Sequence, residues 1–599
     1  MLDLAQLLRV PQVHPQFDIS PNDSKLAFAW NKTGVWQIYE TFLSPLAPLP
    51  KGDENTQQLT SGTGGKFNPR YSPEGRHIAY VLDIDGSENY RLIIYDRVAN
   101  THKDLTPNIT HALQPNFCWS PDGQQFAILS NENGHFSAYI ISTTGCEAKL
   151  ILDTGHPVWQ VEWSPTGKHL AVCCEMQGQD YGMFIVDLET NQVIELELNA
   201  QDPAWSADGT KLAFHSDLHG WFDIVAYDLG SKDITWTSNN EGDSLSPIFL
   251  TQIESITSPN YQFAYTQSKG ACNWIELLTA EGSRKKYQVG EGIHNGIKFA
   301  SDGRRMFCTF NSPSQPPDIW MIDIAQGQSI QLTKSIPEDL SNEEFVMPEE
   351  IYYDGMDGMQ IPALLFRPKQ IPAPAVVIIH GGPNWHYSFE WNPVMAYLAS
   401  RGYVVIAPNY RGSTGYGREW QYAARFDLGG VDTRDIVAGA RFLIRHGLAN
   451  QERIVVTGRS HGGYLTMTCL AQFPELWCAG SAVVPFMNWF KSHEESRGDL
   501  QHWNLENMGD PKENYERWHN ASPYFFLDRV SAPVQLICGD NDPRCPSSDS
   551  IEARDKLIEL GKEVELLLYE DEGHAFLKIE NVIDSEVRRV EFLAKVLEK

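Results

Sequence analysis

A nine-residue phrase keeps returning through the first half of the chain, and no fold with a single core accommodates that. Ser20-Pro-Asn-Asp-Ser-Lys-Leu-Ala-Phe28 is echoed by Ser72-Pro-Glu-Gly-Arg-His-Ile-Ala-Tyr80, Ser120-Pro-Asp-Gly-Gln-Gln-Phe-Ala-Ile128, Ser164-Pro-Thr-Gly-Lys-His-Leu-Ala-Val172 and Ser206-Ala-Asp-Gly-Thr-Lys-Leu-Ala-Phe214. A degraded copy spans 258–265, and a last one is Ser301-Asp-Gly-Arg-Arg-Met-Phe307. The serines are 42 to 52 residues apart. Units of this length, each a turn followed by short alternating strands, are the signature of propeller blades. Proline fixes φ and glycine accepts φ > 0, so the Pro-Asp-Gly element supplies the turn. The Leu-Ala-Phe element starts a strand, and a second strand such as residues 91–95 follows about 15 residues later. We expect seven blades over roughly residues 12–335. Trp119, Trp163 and Trp205 read as packing between blades rather than as a ligand site.

The 599 residues exceed what one core can organise, so a second large domain is expected. The repeat ends before a polar, acidic stretch at 334–350 with Pro337 and Pro348, which reads as the linker. We therefore divide the chain into 1–340, a propeller with an N-terminal segment, and 341–599, a catalytic domain. After a strand pair at 350–366, strands at 376–380, 403–408, 454–457, 534–538 and 564–569 alternate with helices such as 393–401, 433–446 and 548–560. Alternation with nearly all-apolar strands means a mostly parallel sheet covered on both faces. Sites in such sheets form at the carboxyl ends of the strands.

Four of those strand ends carry reactive side chains. Gly458-Arg-Ser460-His-Gly462 turns a β-branched run sharply into a helix, which exposes Ser460 as a nucleophile. Gly539-Asp-Asn-Asp542 and Glu570-Asp-Glu-Gly-His574 end two later strands, and His380-Gly-Gly-Pro383 ends an earlier one. A serine hydroxyl needs a base, and an imidazole held by a carboxylate supplies it. The chain order Ser460, Asp542, His574 is that of an α/β-hydrolase. Asp542 is the favoured acid; the competing readings are a strand-end cap for Asp540 and a solvated turn residue for Asp571. The backbone N–H groups of His461 and Gly381 are the expected oxyanion donors. The His461 and His380 side chains are read as packing or bonding backbone rather than as second bases.

His380-Gly-Gly-Pro383, Asn409-Tyr-Arg-Gly-Ser-Thr-Gly-Tyr-Gly417, Gly458-Arg-Ser-His-Gly-Gly463, Asp542-Pro-Arg-Cys-Pro546 and Glu572-Gly-His-Ala-Phe576 together resemble the prolyl oligopeptidase family of serine peptidases. Within it the chain is most similar to the acylaminoacyl peptidase branch. Cys545 departs from the valine usual there and is expected to be a tolerated apolar swap. The resemblance implies cleavage of short peptides, with the propeller restricting access to a cavity between the domains. It also implies that Phe486 and Trp489 line the pocket for the residue before the cleaved bond, although core packing accounts for them equally well. A pair of propeller glutamates that would hold a free amine is not identifiable, which favours N-blocked substrates. Arg497 reads as a solvated arginine, with a substrate carbonyl as its alternative partner. The alternatives to an acylaminoacyl peptidase-like enzyme are a dipeptidyl aminopeptidase-type exopeptidase, an esterase, or an interaction protein with a spent hydrolase domain.

A net charge of −30 without an acidic tail argues against nucleic acid or an anionic membrane as partner. The ten cysteines are scattered, with no Cys-x-x-Cys, so neither metal nor cofactor is expected and a cytoplasmic setting fits. No export signal or apolar span is visible. Oligomers are common in the family, and an exposed blade edge could pair between subunits.

Overall fold

The computed structural model describes residues 2–43, 55–107, 111–145, 147–238, 241–250 and 261–598. Seven antiparallel four-stranded sheets follow one another, each built wholly from consecutive strands. They are the seven blades, and the sixth expected repeat, whose start at 258–260 lies outside the described residues, falls in blade 6. The recurring phrase is the turn between the first and second strands. In blade 3 the Ser120 hydroxyl donates to Asp122 (2.6 Å) and accepts from the Gln125 N–H (2.9 Å). Gly123 takes φ 69°, which a side chain would disfavour. Ser206, Asp208 and Lys211 repeat these bonds in blade 5.

The second strands differ from expectation in one respect. Gln125–Ser130 and Lys211–Ser216 are buried almost throughout instead of alternating. Each blade is sandwiched between two others, so both faces of its middle strands leave water. Trp205 carries the same logic: its ring lies in the core that blades 4 and 5 share, and its indole N–H donates to Glu162 O of the preceding blade (3.1 Å). Among the described residues the ring closes without strand exchange. Phe17, Leu26 and Phe28 of blade 1 pack with Phe307 and Ile319 of blade 7 in one apolar cluster. The innermost strands surround an axial cavity of about 650 Å³ lined by Gln16, Arg70, Asn116, Gln160, Asp202, Ser246 and Asn295, one per blade.

The second half is an eight-stranded sheet. Its strands are β1 (Glu349–Asp354), β2 (Gln360–Phe366), β3 (Ala375–Ile379), β4 (Val404–Pro408), β5 (Ile454–Arg459), β6 (Ala479–Val483), β7 (Val534–Gly539) and β8 (Val564–Tyr569). They lie in the order β1-β2-β4-β3-β5-β6-β7-β8, parallel from β4 to β8. Sequence reading missed β6, whose Ala-Gly-Ser-Ala-Val lacks the β-branched signal. Small residues are needed there because a Cβ on Gly480 would come within 2.5 Å of Leu470.

Both termini of the propeller are fastened to the second domain. Helix α1 (Leu4–Leu8), grouped with the propeller on sequence, packs Leu4 and Leu8 against Val590, Leu593 and Leu597. Leu7 of the same helix, with Leu2 and Val10 on either side of it, shares a cluster with Leu340, Trp391 and Ala396. The closely spaced leucines at 2, 4, 7 and 8 leave apolar surface that no blade edge would cover, and the hydrolase covers it. The loops joining second to third strands form the rim on which the hydrolase sits. Trp391 N donates to Asn311 Oδ1 (2.9 Å), Phe389 N to Ala271 O (2.7 Å), and Arg418 bridges Asp180 (2.6 Å) and Asp217 (2.9 Å). Among the described residues no helix is long and apolar enough to cross a membrane.

Candidate active site

Strand β5 ends at Arg459 and helix α2 (His461–Gln472) begins two residues on, leaving Ser460 alone at the bend with φ 57° and ψ −124°. A serine in that region is strained, and the bend survives because nothing bulky lies under it. A Cβ on Gly458 would approach Gly462 O to 2.4 Å, and one on Gly462 would approach Ile379 O to 2.3 Å. The two glycines are therefore demanded by backbone contact, as the tight turn predicts.

The loops after β7 and β8 bring the other two expected residues to Ser460. His574 Nε2 lies 2.9 Å from Ser460 Oγ, and His574 Nδ1 lies 2.8 Å from Asp542 Oδ2. Asp542 Oδ1 accepts the N–H groups of Arg544 (2.8 Å) and Cys545 (2.9 Å), which fixes the carboxylate plane. The rival acids are engaged elsewhere: Asp540 accepts from Ser547 (2.8 Å), and Asp571 pairs with Lys578. Arg459 was not foreseen. Its guanidinium donates to the His574 carbonyl (2.6 Å) and lies over the Phe576 ring, so it braces the histidine loop from the strand carrying the serine.

The loop 380–383 packs directly on the bend, with a Cβ built on Gly381 only 3.2 Å from Ser460 Cβ. Among the described residues, neither the Gly381 N–H nor the His461 N–H donates a hydrogen bond, so two backbone donors flank the serine unspent. The His380 ring stacks on Tyr410 at 4.3 Å, bonds Gly381 O (2.7 Å) and Ser413 Oγ (2.9 Å), and is held neutral by burial that pushes its pKa down to about 3. The His461 ring lies among Tyr410, Tyr464 and Phe486, with Nε2 3.6 Å from Asp432. Both are structural rings, in keeping with the blander reading.

Phe486 and Trp489 sit close to the site but chiefly as core. Phe486 stacks flat on Tyr464 at 4.7 Å and is 8% exposed, whereas Trp489, edge-on to Phe486, is 1% exposed.

Arg497 corrects the sequence reading. It is not solvated: its side chain is 13% exposed, forks onto Asp499 (2.6 and 3.0 Å), reaches Glu88 (3.3 Å) and lies over Phe136. Glu88, on the blade 2 rim loop, also accepts from Arg544 (2.7 Å), two residues after Asp542. Beside this cluster, burial pushes Glu175 up to about 8, against a bond from Trp159 (3.1 Å) that favours its ionised form. Unfolded, the same carboxyl titrates near 4.5. Its contribution is full below pH 4.5 and is lost as pH rises to about 8. Glu175→Gln is accordingly expected to raise the urea midpoint at pH 8 and to leave it nearly unchanged at pH 4.5; equal shifts at both would contradict a buried neutral acid.

Cys545 is 6% exposed, and burial pushes its thiol up. Its Sγ, a carboxylate oxygen of Asp542 and a ring nitrogen of His574 all lie within 4.8 Å of one another, a grouping of metal-type donors that recurs nowhere else among the described residues.

Residues 386–599 match the prolyl oligopeptidase family. The chain is 22% identical to dipeptidyl aminopeptidase BIII of Pseudoxanthomonas mexicana, over 95% of its own length and 91% of that protein. It is 26% identical to the acylamino-acid-releasing enzyme of Rattus norvegicus, over 65% of its own length and 49% of that protein. Among solved structures, a Mycobacterium tuberculosis puromycin-hydrolyzing peptidase superposes with a TM-score of 0.85 at 20% identity, covering 100% of this chain and 96% of that one. At that identity the likeness speaks for the fold.

Proposed function

Since the chain belongs through residues 386–599 to the prolyl oligopeptidase family of serine peptidases, we propose that it cleaves short peptides through an acyl-enzyme on Ser460 and prefers substrates whose amino terminus is blocked, in the manner of an acylaminoacyl peptidase. The observation that carries the chemistry is the unbroken chain of contacts from Ser460 Oγ to His574 to Asp542. His574 Nε2 takes the hydroxyl proton as Oγ attacks the carbonyl, and Asp542 holds Nδ1–H and stabilises the imidazolium. The N–H groups of His461 and Gly381 receive the developing oxyanion. His574 then gives its proton to the leaving amine, and the same base activates water to hydrolyse the ester. Phe486 offers its exposed edge to the side chain before the cleaved bond, with Trp489 supporting it from behind.

The preference for blocked termini rests on how the acids around the site are spent. Glu88 is shared between Arg497 and Arg544, and Asp499 is forked by Arg497, so the carboxylates that could bind an ammonium already hold guanidinium groups. A free-amine reading has one observation in its favour: Glu175 Oε1 is buried without a partner. Matched anilides decide between them. N-acetyl-Phe and N-acetyl-Ala anilides are expected to turn over faster than free-amine dipeptide anilides, with Ser460→Ala as the blank. The reverse order, abolished by Glu175→Gln, would establish the aminopeptidase reading and leave the triad standing.

A further inference from the structure

Cys545 stands where an apolar residue would serve packing equally well, and its sulfur faces the two side chains that the serine depends on. From this we propose that Cys545, His574 and Asp542 form a binding site for a thiophilic divalent cation, Zn²⁺ or its probe Cd²⁺, and that occupancy switches the peptidase off. Thiolate, imidazole and carboxylate are the side-chain donors that zinc takes, and sites with three such ligands leave a fourth position for water. Bond lengths of 2.0 to 2.3 Å and tetrahedral angles put the donors of such a site roughly 3.5 Å apart. Here the three donors lie within 4.8 Å, and the Asp542–His574 pair is already at 2.8 Å. Only side-chain rotations of an ångström or so separate the relay from a coordination shell. Asp542 Oδ1 stays anchored on the Arg544 and Cys545 amides, which also tie the cysteine's backbone to the carboxylate it would share the ion with.

The chemistry balances without any further reactant. The cation replaces the thiol proton of Cys545, which leaves to solvent, and takes one lone pair from the neutral imidazole. Bound at Nε2, it occupies the position that accepts the Ser460 proton. Bound at Nδ1, it displaces that nitrogen's proton from the Asp542 bond to Nε2, which can then no longer accept. Either nitrogen gives the same result: the serine loses its base. Sulfur supplies the selectivity, because hard cations such as Mg²⁺ or Ca²⁺ do not favour thiolate. The inhibitory half rests on the reading of Ser460, His574 and Asp542 as the catalytic relay; the binding half rests on their geometry alone.

The experiment titrates the reduced, metal-free full chain with Cd²⁺, reading the sulfur-to-cadmium charge-transfer band and the anilide activity in the same samples. Wild type is expected to show a band component that Cys545→Val lacks, with Cys545→Ser weakened in parallel should the valine pack badly. Ser460→Ala should keep the full band, since the serine is not a ligand. Cd²⁺ and Zn²⁺ should inhibit wild type at concentrations at least ~10-fold below those needed for Cys545→Val, each measured against its own metal-free rate, a loss already typical when a mere supporting partner of a metal site is removed. Inhibition should reverse with a chelator, and Mg²⁺ should have no effect. Equal bands and equal inhibition in wild type and Cys545→Val would overturn the site. Loss of the band in Cys545→Val while metal-loaded wild type remains fully active would overturn the switch, and would count against His574 as the base.

Discussion

Ser460→Ala is expected to lower kcat on a blocked peptide anilide by roughly 10⁶-fold, and Asp542→Asn by about 10⁴-fold. The two numbers differ for a physical reason. Without Oγ there is no acyl-enzyme, and only the oxyanion donors and substrate binding remain to accelerate attack by water. With asparagine at 542 the nucleophile survives, but the amide can donate to His574 Nδ1 and so favours the tautomer with the proton on Nε2, the wrong one for a base. Both variants should fold, because neither removes a core contact and alanine at 460 inherits the same bend over Gly458 and Gly462. Steady-state and single-turnover rates, with circular dichroism to verify folding, test this. Residual activity above a hundredth of wild type in Ser460→Ala would move the nucleophile elsewhere.

Gly573→Ala should cost less, and in a different way. Gly573 precedes His574 and is wedged between two other glycines. A Cβ added to it would fall 1.8 Å from Gly86 O on the blade 2 rim, and one added to Gly539 at the end of β7 would fall 2.4 Å from Gly573 O. The three backbones are in contact across the domain boundary, so a methyl group must push either the rim loop or the histidine loop aside. Displacing a catalytic group by about 1 Å costs on the order of 10²-fold in rate. We expect kcat to fall by about that factor while far-ultraviolet circular dichroism stays native. Wild-type kcat in Gly573→Ala would mean that turnover takes place with the two loops apart.

What could be read from the sequence followed the range of each interaction. The blades were legible because their turns are made from neighbours in the chain, as Ser120, Asp122 and Gln125 show. The serine bend and the loops after β7 and β8 were legible for the same reason, since strand, glycine and reactive residue occur within a dozen positions. Glu88 was not, because its two arginines lie more than 400 residues away and nothing in Asp85-Gly-Ser-Glu88 announces them. Arg497 was misread as solvated on that account. Arg459 looked like one variable position in the serine motif until its reach to the His574 carbonyl was visible. The leucines of α1 were legible as apolar but not as belonging to the far domain, because periodicity says that a face must be covered and never by what.

The cluster of Leu2, Leu7, Val10, Leu340, Trp391 and Ala396 has a consequence for how the molecule comes apart. Blade 1 starts at Val13 and blade 7 ends at Gln331, so the chain enters and leaves the ring beside this one cluster. Among the described residues no strand bridges the ring's first and last blades; a neighbouring domain buckles its two loose ends together. Loosening the buckle should therefore let the ring gape at its seam before any blade melts, and melting the hydrolase should release the belt entirely. If the buckle couples them, calorimetry should show a single transition where two domains of this size would ordinarily give two.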